Sequence, residues 1–266
     1  ASTLPLPLYY AKRLAYDIII RHSIKNAKKI IVPLHAVKDD VMQTLGVKEE
    51  KIAVTEEGVD LLSSLRAKRG NSLHEIATSP LAPRNDADYF IYVGNAYPHK
   101  NLEKLVEAFK LFKAETKTDV QLVLVGKDDY FYTQLKKKVV DEGQTDIIFK
   151  HDVDDATLFS LYAGSISFVS PSLMEGFGLP TLEAMSASCP VLVSDIPAFR
   201  EVCKNIAFYF DPKDILGIKN KLVFMYNLDQ SERQKHIAAG LSRINDFSWK
   251  RMAQQTKRVY ESSIGI

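Results

Sequence analysis

Ser170-Pro-Ser-Leu-Met-Glu175-Gly-Phe-Gly178-Leu-Pro180-Thr-Leu-Glu183-Ala-Met185 is the stretch on which the reading of this chain turns. A short apolar run ends at Ser170, a loop with two glycines follows, and Pro180 stands where a first helical turn begins. The stretch therefore reads as strand, loop and helix start. Gly176 and Gly178 let the backbone approach a ligand closely, and free N–H groups at a helix N-terminus favour an anion. Such a junction suits a diphosphate without needing side-chain charge. Glu175 in the loop and Glu183 on the helix are placed to accept hydrogen bonds from sugar and ribose hydroxyls at either end of it. Either glutamate alone reads as an ordinary helix-start charge, and either glycine as a turn former. Their combination at one strand-to-helix junction is what points to a ligand site.

Outward from this stretch, short β-branched runs alternate with amphipathic segments. Residues 89–94, 120–126, 147–149, 165–170 and 190–194 read as strands, several of them apolar nearly throughout. Continuous apolarity is what a strand needs when helices cover both faces of a parallel sheet. Between the first two strands, Leu102, Leu105, Val106, Phe109 and Phe112 recur at helical spacing, with Asn101 expected to cap the helix start. The repeated βαβ pattern predicts a doubly wound, Rossmann-like α/β domain over residues 89–246, whose ligands sit beyond the carboxyl ends of the strands.

Residues 1–60 read as a shorter α/β piece, with helices over 9–26 and 36–45, strands over 29–33 and 52–54, and Gly46 as a helix stop. Two strands do not readily make a stable open parallel sheet by themselves. Residues 61–88 mix Ser, Arg, Gly, Asn and Pro without periodicity and read as a linker. Three helical segments, 214–227, 231–244 and 249–262, close the chain, and residues 247–266 are expected to pack back on the N-terminal part.

Of the 266 residues, 46% are hydrophobic and 26% charged, which excludes disorder and fits one large or two small globular domains. A net charge of +2 is too mild to imply nucleic acid. Lys12, Arg13, Arg21, Lys25, Lys28 and Lys29 cluster before the first strand, as a solvated helix face or as a contact for an anionic membrane surface. No stretch approaches the roughly 18 consecutive apolar residues of a membrane span, and no basic-then-apolar signal is evident, so a cytoplasmic location is expected, including the inner face of the membrane. Cys189 and Cys203 lack C-x-x-C spacing and read as reduced, half-buried thiols rather than a metal site or disulfide. A nicotinamide-dependent oxidoreductase would need a G-x-G-x-x-G after a strand, which the chain lacks.

The form E-G-F-G-L-P-x-L-E-A-M, with Glu175 and Glu183 separated by seven residues, resembles the E-x7-E signature of the group 4 retaining glycosyltransferases, also known as glycosyltransferase group 1, with the GT-B fold of two Rossmann-like domains. The segments 93–101, 122–126, 189–194, 197–202, 207–212 and 247–249 also resemble that family, so the likeness spans about residues 86–262 and, more weakly, 9–60. By this resemblance Glu183 holds the ribose hydroxyls and Glu175 contacts the donor sugar near the reacting centre. Phe177, Gly178 and Leu179 offer backbone amides to sugar and phosphate, Gly94 and Asn95 belong to the donor loop, and Lys100 neutralises the diphosphate leaving group. No metal or other cofactor is implied, because a lysine and a helix N-terminus supply the positive charge.

One position departs from the commoner family pattern: an arginine frequent in the donor loop is Asn95 here, and Lys127, after the second strand, is the candidate replacement. His99 is given a loop-shaping role, while His151 and Tyr130 are weaker pocket candidates. The family's first domain opens with a glycine-rich loop and carries a histidine near the donor sugar. Neither has a counterpart here, so the chain is expected to be an expression fragment or to work with a partner chain. The implied activity is transfer of a hexose from a nucleoside diphosphate sugar, GDP-mannose first and UDP-glucose second, to a saccharide or lipid-linked acceptor. The alternative is a non-catalytic nucleotide-sugar-binding subunit.

Overall fold

The computed structural model describes residues 6–59 and 88–265, so nearly all of the expected linker at 61–88 lies outside the described residues. The first helix, α1 (Leu6–Asn26), leads into strand β1 (Ile30–Val32), helix α2 (His35–Leu45), a 3-10 turn at Glu49–Lys51 and strand β2 (Ile52–Val54). Gly46 ends α2 at φ +66°, returning its N–H to the Met42 carbonyl. Glycine adopts that conformation without strain, which suits it to end the helix there. β1 and β2 pair in parallel, Ile30 opposite Ile52 and Val32 opposite Val54, and bury Val32, Val47 and Ile52 as a small core.

The larger sheet begins with β3 (Tyr89–Val93), followed by α3 (Leu102–Thr116), β4 (Gln121–Val125), α4 (Tyr130–Asp141), β5 (Ile147–Lys150), α5 (Asp155–Gly164) and β6 (Ser167–Ser170). After β6 come α6 (Leu179–Ser186), β7 (Val191–Ser194), α7 (Pro197–Cys203), β8 (Phe208–Phe210), α8 (Ile215–Tyr226), α9 (Gln230–Arg243) and α10 (Trp249–Ile264). The six strands lie in the order β5-β4-β3-β6-β7-β8, and every neighbouring pair is parallel. β6 and β7 are buried along their whole length, as strands with helices on both faces must be. The apolar stripe of α3 lands where its spacing puts it: Leu102, Leu105, Val106, Phe109 and Phe112 are all buried, packed with Phe90, Tyr92, Leu122 and Leu124.

Two expectations are corrected. Asn101 does not cap α3 with its side chain; it sits at φ +60°, and its amide turns away to other loops. The thiols of Cys189 and Cys203 are fully rather than half buried.

The chain divides into two compact units, one of residues up to Gly58 together with those from Trp249 onward, the other running from Val59 to Ser248. Within the first unit, Lys28 Nζ donates to the Ser263 carbonyl of α10 at 3.0 Å. α1 leaves Leu14, Tyr16, Ile18 and Ile19 exposed beside Lys12 and Arg13. No helix among the described residues is long and apolar enough to cross a membrane.

Candidate functional site

The strand order places the first and fourth strands of the large sheet, β3 and β6, side by side at its centre. From β3 the chain winds outward through β4 to β5, and from β6 through β7 to β8. The loops leaving the carboxyl ends of β3 and β6 therefore part in opposite directions, and the crevice they open is where a doubly wound sheet receives its ligand. Both loops carry residues picked out by the sequence: 94–101 after β3 and 171–178 after β6.

The β3 loop is shaped by its backbone. Gly94 takes φ +149°, where a Cβ would lie 2.7 Å from the Tyr92 hydroxyl, and that hydroxyl donates to the Asn95 carbonyl at 2.7 Å. Pro98–Lys100 then forms a 3-10 turn, and Asn101 leaves it in the left-handed region. Asn101 Nδ2 donates to two carbonyls, Pro171 at 3.0 Å and Pro212 at 2.8 Å, tying the β3 loop to those after β6 and β8. The amide of Leu173 adds a bond to the His99 carbonyl at 2.8 Å. His99 thus serves the loop through its main chain. Burial and the adjacent Lys100 hold its imidazole below the usual pKa, which favours the neutral ring.

This lacing brings Lys100 to Glu175 across 75 residues of sequence. Lys100 Nζ donates to Glu175 Oε1 and Oε2, both at 2.8 Å, and the two side chains are only 16% and 12% exposed. Ser172 Oγ donates to Glu175 Oε1 at 2.7 Å, and Ser170 Oγ lies 3.2 Å from Ser172 Oγ. The carboxylate is therefore held by a cation and a hydroxyl at the mouth of the crevice.

Beyond it the loop prepares the helix. Gly178 sits at φ +89°, and a Cβ there would come within 2.7 Å of Phe199, so the position requires glycine. Gly176 meets nothing within 4 Å and faces open space. Phe177 is buried, its ring edge-on to Phe247 with centroids 5.6 Å apart. Among the described residues the amides of Phe177, Gly178 and Leu179 have no acceptor, whereas the Thr181 amide returns to the Gly178 carbonyl at 2.9 Å. Unpartnered donors of this kind at a helix start favour an anion.

Glu183 follows on α6. Its Oε2 accepts a hydrogen bond from the hydroxyl of Tyr162, on α5, at 3.0 Å. Burial, and secondarily the charge of Asp155, raise its pKa, while the Tyr162 bond works against the rise. The remaining candidates lie further out. Lys127 is exposed in the loop after β4, and Tyr130 is exposed at the start of α4. His151, beyond the edge strand β5, points its Nδ1 at the Gly126 carbonyl, 2.8 Å away. Asn95 Oδ1 accepts from the Tyr97 amide at 3.3 Å. Ser172 and Tyr162 contact the candidate glutamates and Asn101 tethers their loop, none of which the sequence disclosed.

The family described as Glycosyl transferases group 1 matches residues 75–241, which include both loops and both glutamates. The chain is 31% identical over 213 residues to the O-antigen chain mannosyltransferase RfbU of Salmonella typhimurium, covering 78% of this chain and 55% of that protein. It is 36% identical over 177 residues to the O-antigen chain mannosyltransferase B of Escherichia coli, covering 65% of this chain and 45% of that one. It thus spans about half the length of these curated relatives. Among solved structures, a glycosyltransferase from Rickettsia africae superposes with a TM-score of 0.72 at 19% identity, over 99% of this chain and 69% of its own. With its family match over more than half its length, the chain belongs to the group 1 glycosyl transferases.

Proposed function

We propose that residues 89–246 form the donor-binding domain of a retaining hexosyltransferase, which moves a sugar from a nucleoside diphosphate to a saccharide or lipid-linked acceptor. The observation that carries this reading is the convergence, at the crevice between β3 and β6, of Lys100, Glu175, three unpartnered amides at 177–179 and Glu183. The amides and Lys100 receive the diphosphate and hold the negative charge that builds on the leaving group as the bond from the sugar breaks. Glu175 contacts the sugar, and Glu183 the ribose. Gly94 and Asn95 line the β3 side, and exposed Lys127 adds a charge from the β4 side. The positive charge needed at the diphosphate comes from these groups, so no metal enters the reading.

The mannosyltransferase names of the relatives favour GDP-mannose as donor, with UDP-glucose second. Transfer needs a second α/β domain to align the acceptor and exclude water. The β1–β2 piece belongs to that acceptor side together with α10, whereas Phe247, expected to pack with them, meets Phe177 edge-on instead; the remainder of that side comes from the same polypeptide or a partner chain. Exposed Leu14, Tyr16, Ile18 and Ile19 beside Lys12 and Arg13 on α1 support peripheral contact with an anionic membrane at its cytoplasmic face. Titration calorimetry with GDP-mannose and UDP-glucose tests the reading. At least one binds the parent chain, and Glu183→Ala weakens that binding by about 1–3 kcal/mol through lost hydrogen bonds to a charged acceptor. Absence of binding by both, or equal affinity for parent and variant, overturns it.

A further inference from the structure

We propose that Tyr162 is a positioning residue for the nucleotide: its buried hydroxyl holds the Glu183 carboxylate in the orientation that receives the ribose hydroxyls. The inference rests on the assignment of Glu183 to the ribose made above. Tyr162 lies in the last turn of α5 with its side chain wholly out of solvent. Its ring meets Phe168 of β6 edge-on, centroids 5.9 Å apart, and its carbonyl is held by the Ser165 hydroxyl at 2.8 Å and amide at 3.2 Å. With ring and main chain held in this way, the hydroxyl donates to Glu183 Oε2 at 3.0 Å.

The two oxygens of Glu183 are therefore unequal. Oε2 is anchored from inside the protein, whereas Oε1 accepts no hydrogen bond among the described residues. A carboxylate tethered by one oxygen and free at the other presents its lone pairs in a set direction, and so loses little side-chain freedom when a diol arrives. The titratable groups facing it are Tyr162 and Asp155, both on α5; the Ser186 hydroxyl, on its own helix, donates to the Glu183 carbonyl at 2.7 Å and not to the carboxylate. Burial, and to a lesser degree Asp155, disfavour the charged carboxylate, and the Tyr162 donor opposes them. Removing that hydroxyl should leave Glu183 looser and harder to ionise.

Tyr162→Phe keeps the ring and deletes the donor. Binding of GDP-mannose and UDP-glucose is measured by calorimetry from about pH 5 to about pH 8, a range in which a diphosphate esterified at both ends has no proton to lose. Ser186→Ala serves as control, Glu183→Ala as reference, and thermal melts show that each variant is folded. The expected result is an affinity about three- to tenfold lower at pH 7 for Tyr162→Phe. The fall in affinity on acidification should also begin at higher pH than in the parent, while Ser186→Ala follows the parent. As a second measurement, the Glu183 carboxyl carbon followed by NMR in the free chain should titrate at higher pH in Tyr162→Phe. If Glu183→Ala binds like the parent, the ribose assignment fails and the inference with it. If Glu183→Ala loses affinity while Tyr162→Phe matches the parent in affinity, pH profile and carboxyl titration, Tyr162 is a core residue only, and the inference alone fails.

Discussion

Lys100 Nζ sits 2.8 Å from each carboxylate oxygen of Glu175, so in the free chain the cation proposed to receive a diphosphate is already engaged. The pair is largely buried, and loss of either partner strands a charge with little water around it. Lys100→Ala and Glu175→Ala should each destabilise the chain by about 1–3 kcal/mol, and the double variant by less than their sum. Ser172 softens the first change because its hydroxyl still donates to Glu175. Urea unfolding of the four proteins checks this; additive losses would mean that the pair contributes no coupling.

An incoming diphosphate must also compete with Glu175 for Lys100. Lys100→Ala should therefore weaken GDP and UDP far more than guanosine and uridine, which carry no phosphate. Glu175→Gln, which frees the lysine, should strengthen binding of the diphosphates by up to about tenfold. Equal losses for nucleoside and nucleotide in Lys100→Ala would remove this residue from the phosphate site.

The raised pKa of Glu183 has a consequence for stability. A carboxyl whose folded-state pKa lies above its ordinary value of 4.5 favours folding while protonated and opposes it once ionised. Its cost is absent below the ordinary value and grows as pH rises through the folded-state value. Glu183→Gln should accordingly melt at a higher temperature than the parent at pH 7, with a gap that closes as pH falls toward 4.5, while binding nucleotide sugars less tightly. Melting curves across that interval decide it; a gap independent of pH would trace the effect to something other than ionisation.

The two glycines of the 175–183 junction should separate structure from binding. Gly178→Ala forces φ +89° on a residue with a Cβ and drives that Cβ into Phe199, and should cost about 1–3 kcal/mol. Gly176→Ala meets no atom within 4 Å and should leave stability within about 0.5 kcal/mol of the parent. If the loop backbone lies against phosphate, Gly176→Ala still loses affinity for GDP and UDP. A variant that is both stable and fully competent would place the ligand away from residue 176.

Incubated with radiolabelled GDP-mannose and a lipid or oligosaccharide extract, the 266-residue chain should bind donor but not transfer sugar, and activity should appear when the rest of an acceptor-side domain is supplied. Efficient transfer by the purified chain as a monomer would refute the need for it.

The large sheet was legible because its strands are apolar on both faces, as in Phe168-Val169 and Leu192-Val193, and because α3 keeps its stripe over three turns. β8, Phe208-Tyr-Phe210, is not among the expected strands; it is as short as β2, and three residues show no period of their own. Asn101 was misread for a different reason. An asparagine before a helix has the chemistry of a cap, but whether it caps depends on its φ, and at +60° its amide faces other loops. The Lys100–Glu175 pair and the Tyr162–Glu183 bond join residues 75 and 21 positions apart, and no local pattern records a contact made by folding. Tyr162 in particular occupies an apolar position of a helix, where its ring accounts for its presence and conceals its hydroxyl.

Cys189 and Cys203, the chain's sole cysteines, are 2% and 0% exposed and belong to the same compact unit, with burial pushing the Cys189 thiol up to about 11 and the Cys203 thiol up to about 12. A thiol reagent can reach neither until that unit opens, and the other unit has none to offer. Alkylation rate is thus a built-in gauge of opening in the unit that runs from Val59 to Ser248, which holds both thiols. A nucleotide sugar that binds the β3–β6 crevice as proposed should slow the labelling in proportion to its occupancy, so that candidate ligands can be ranked without an acceptor, a transfer assay or a partner chain.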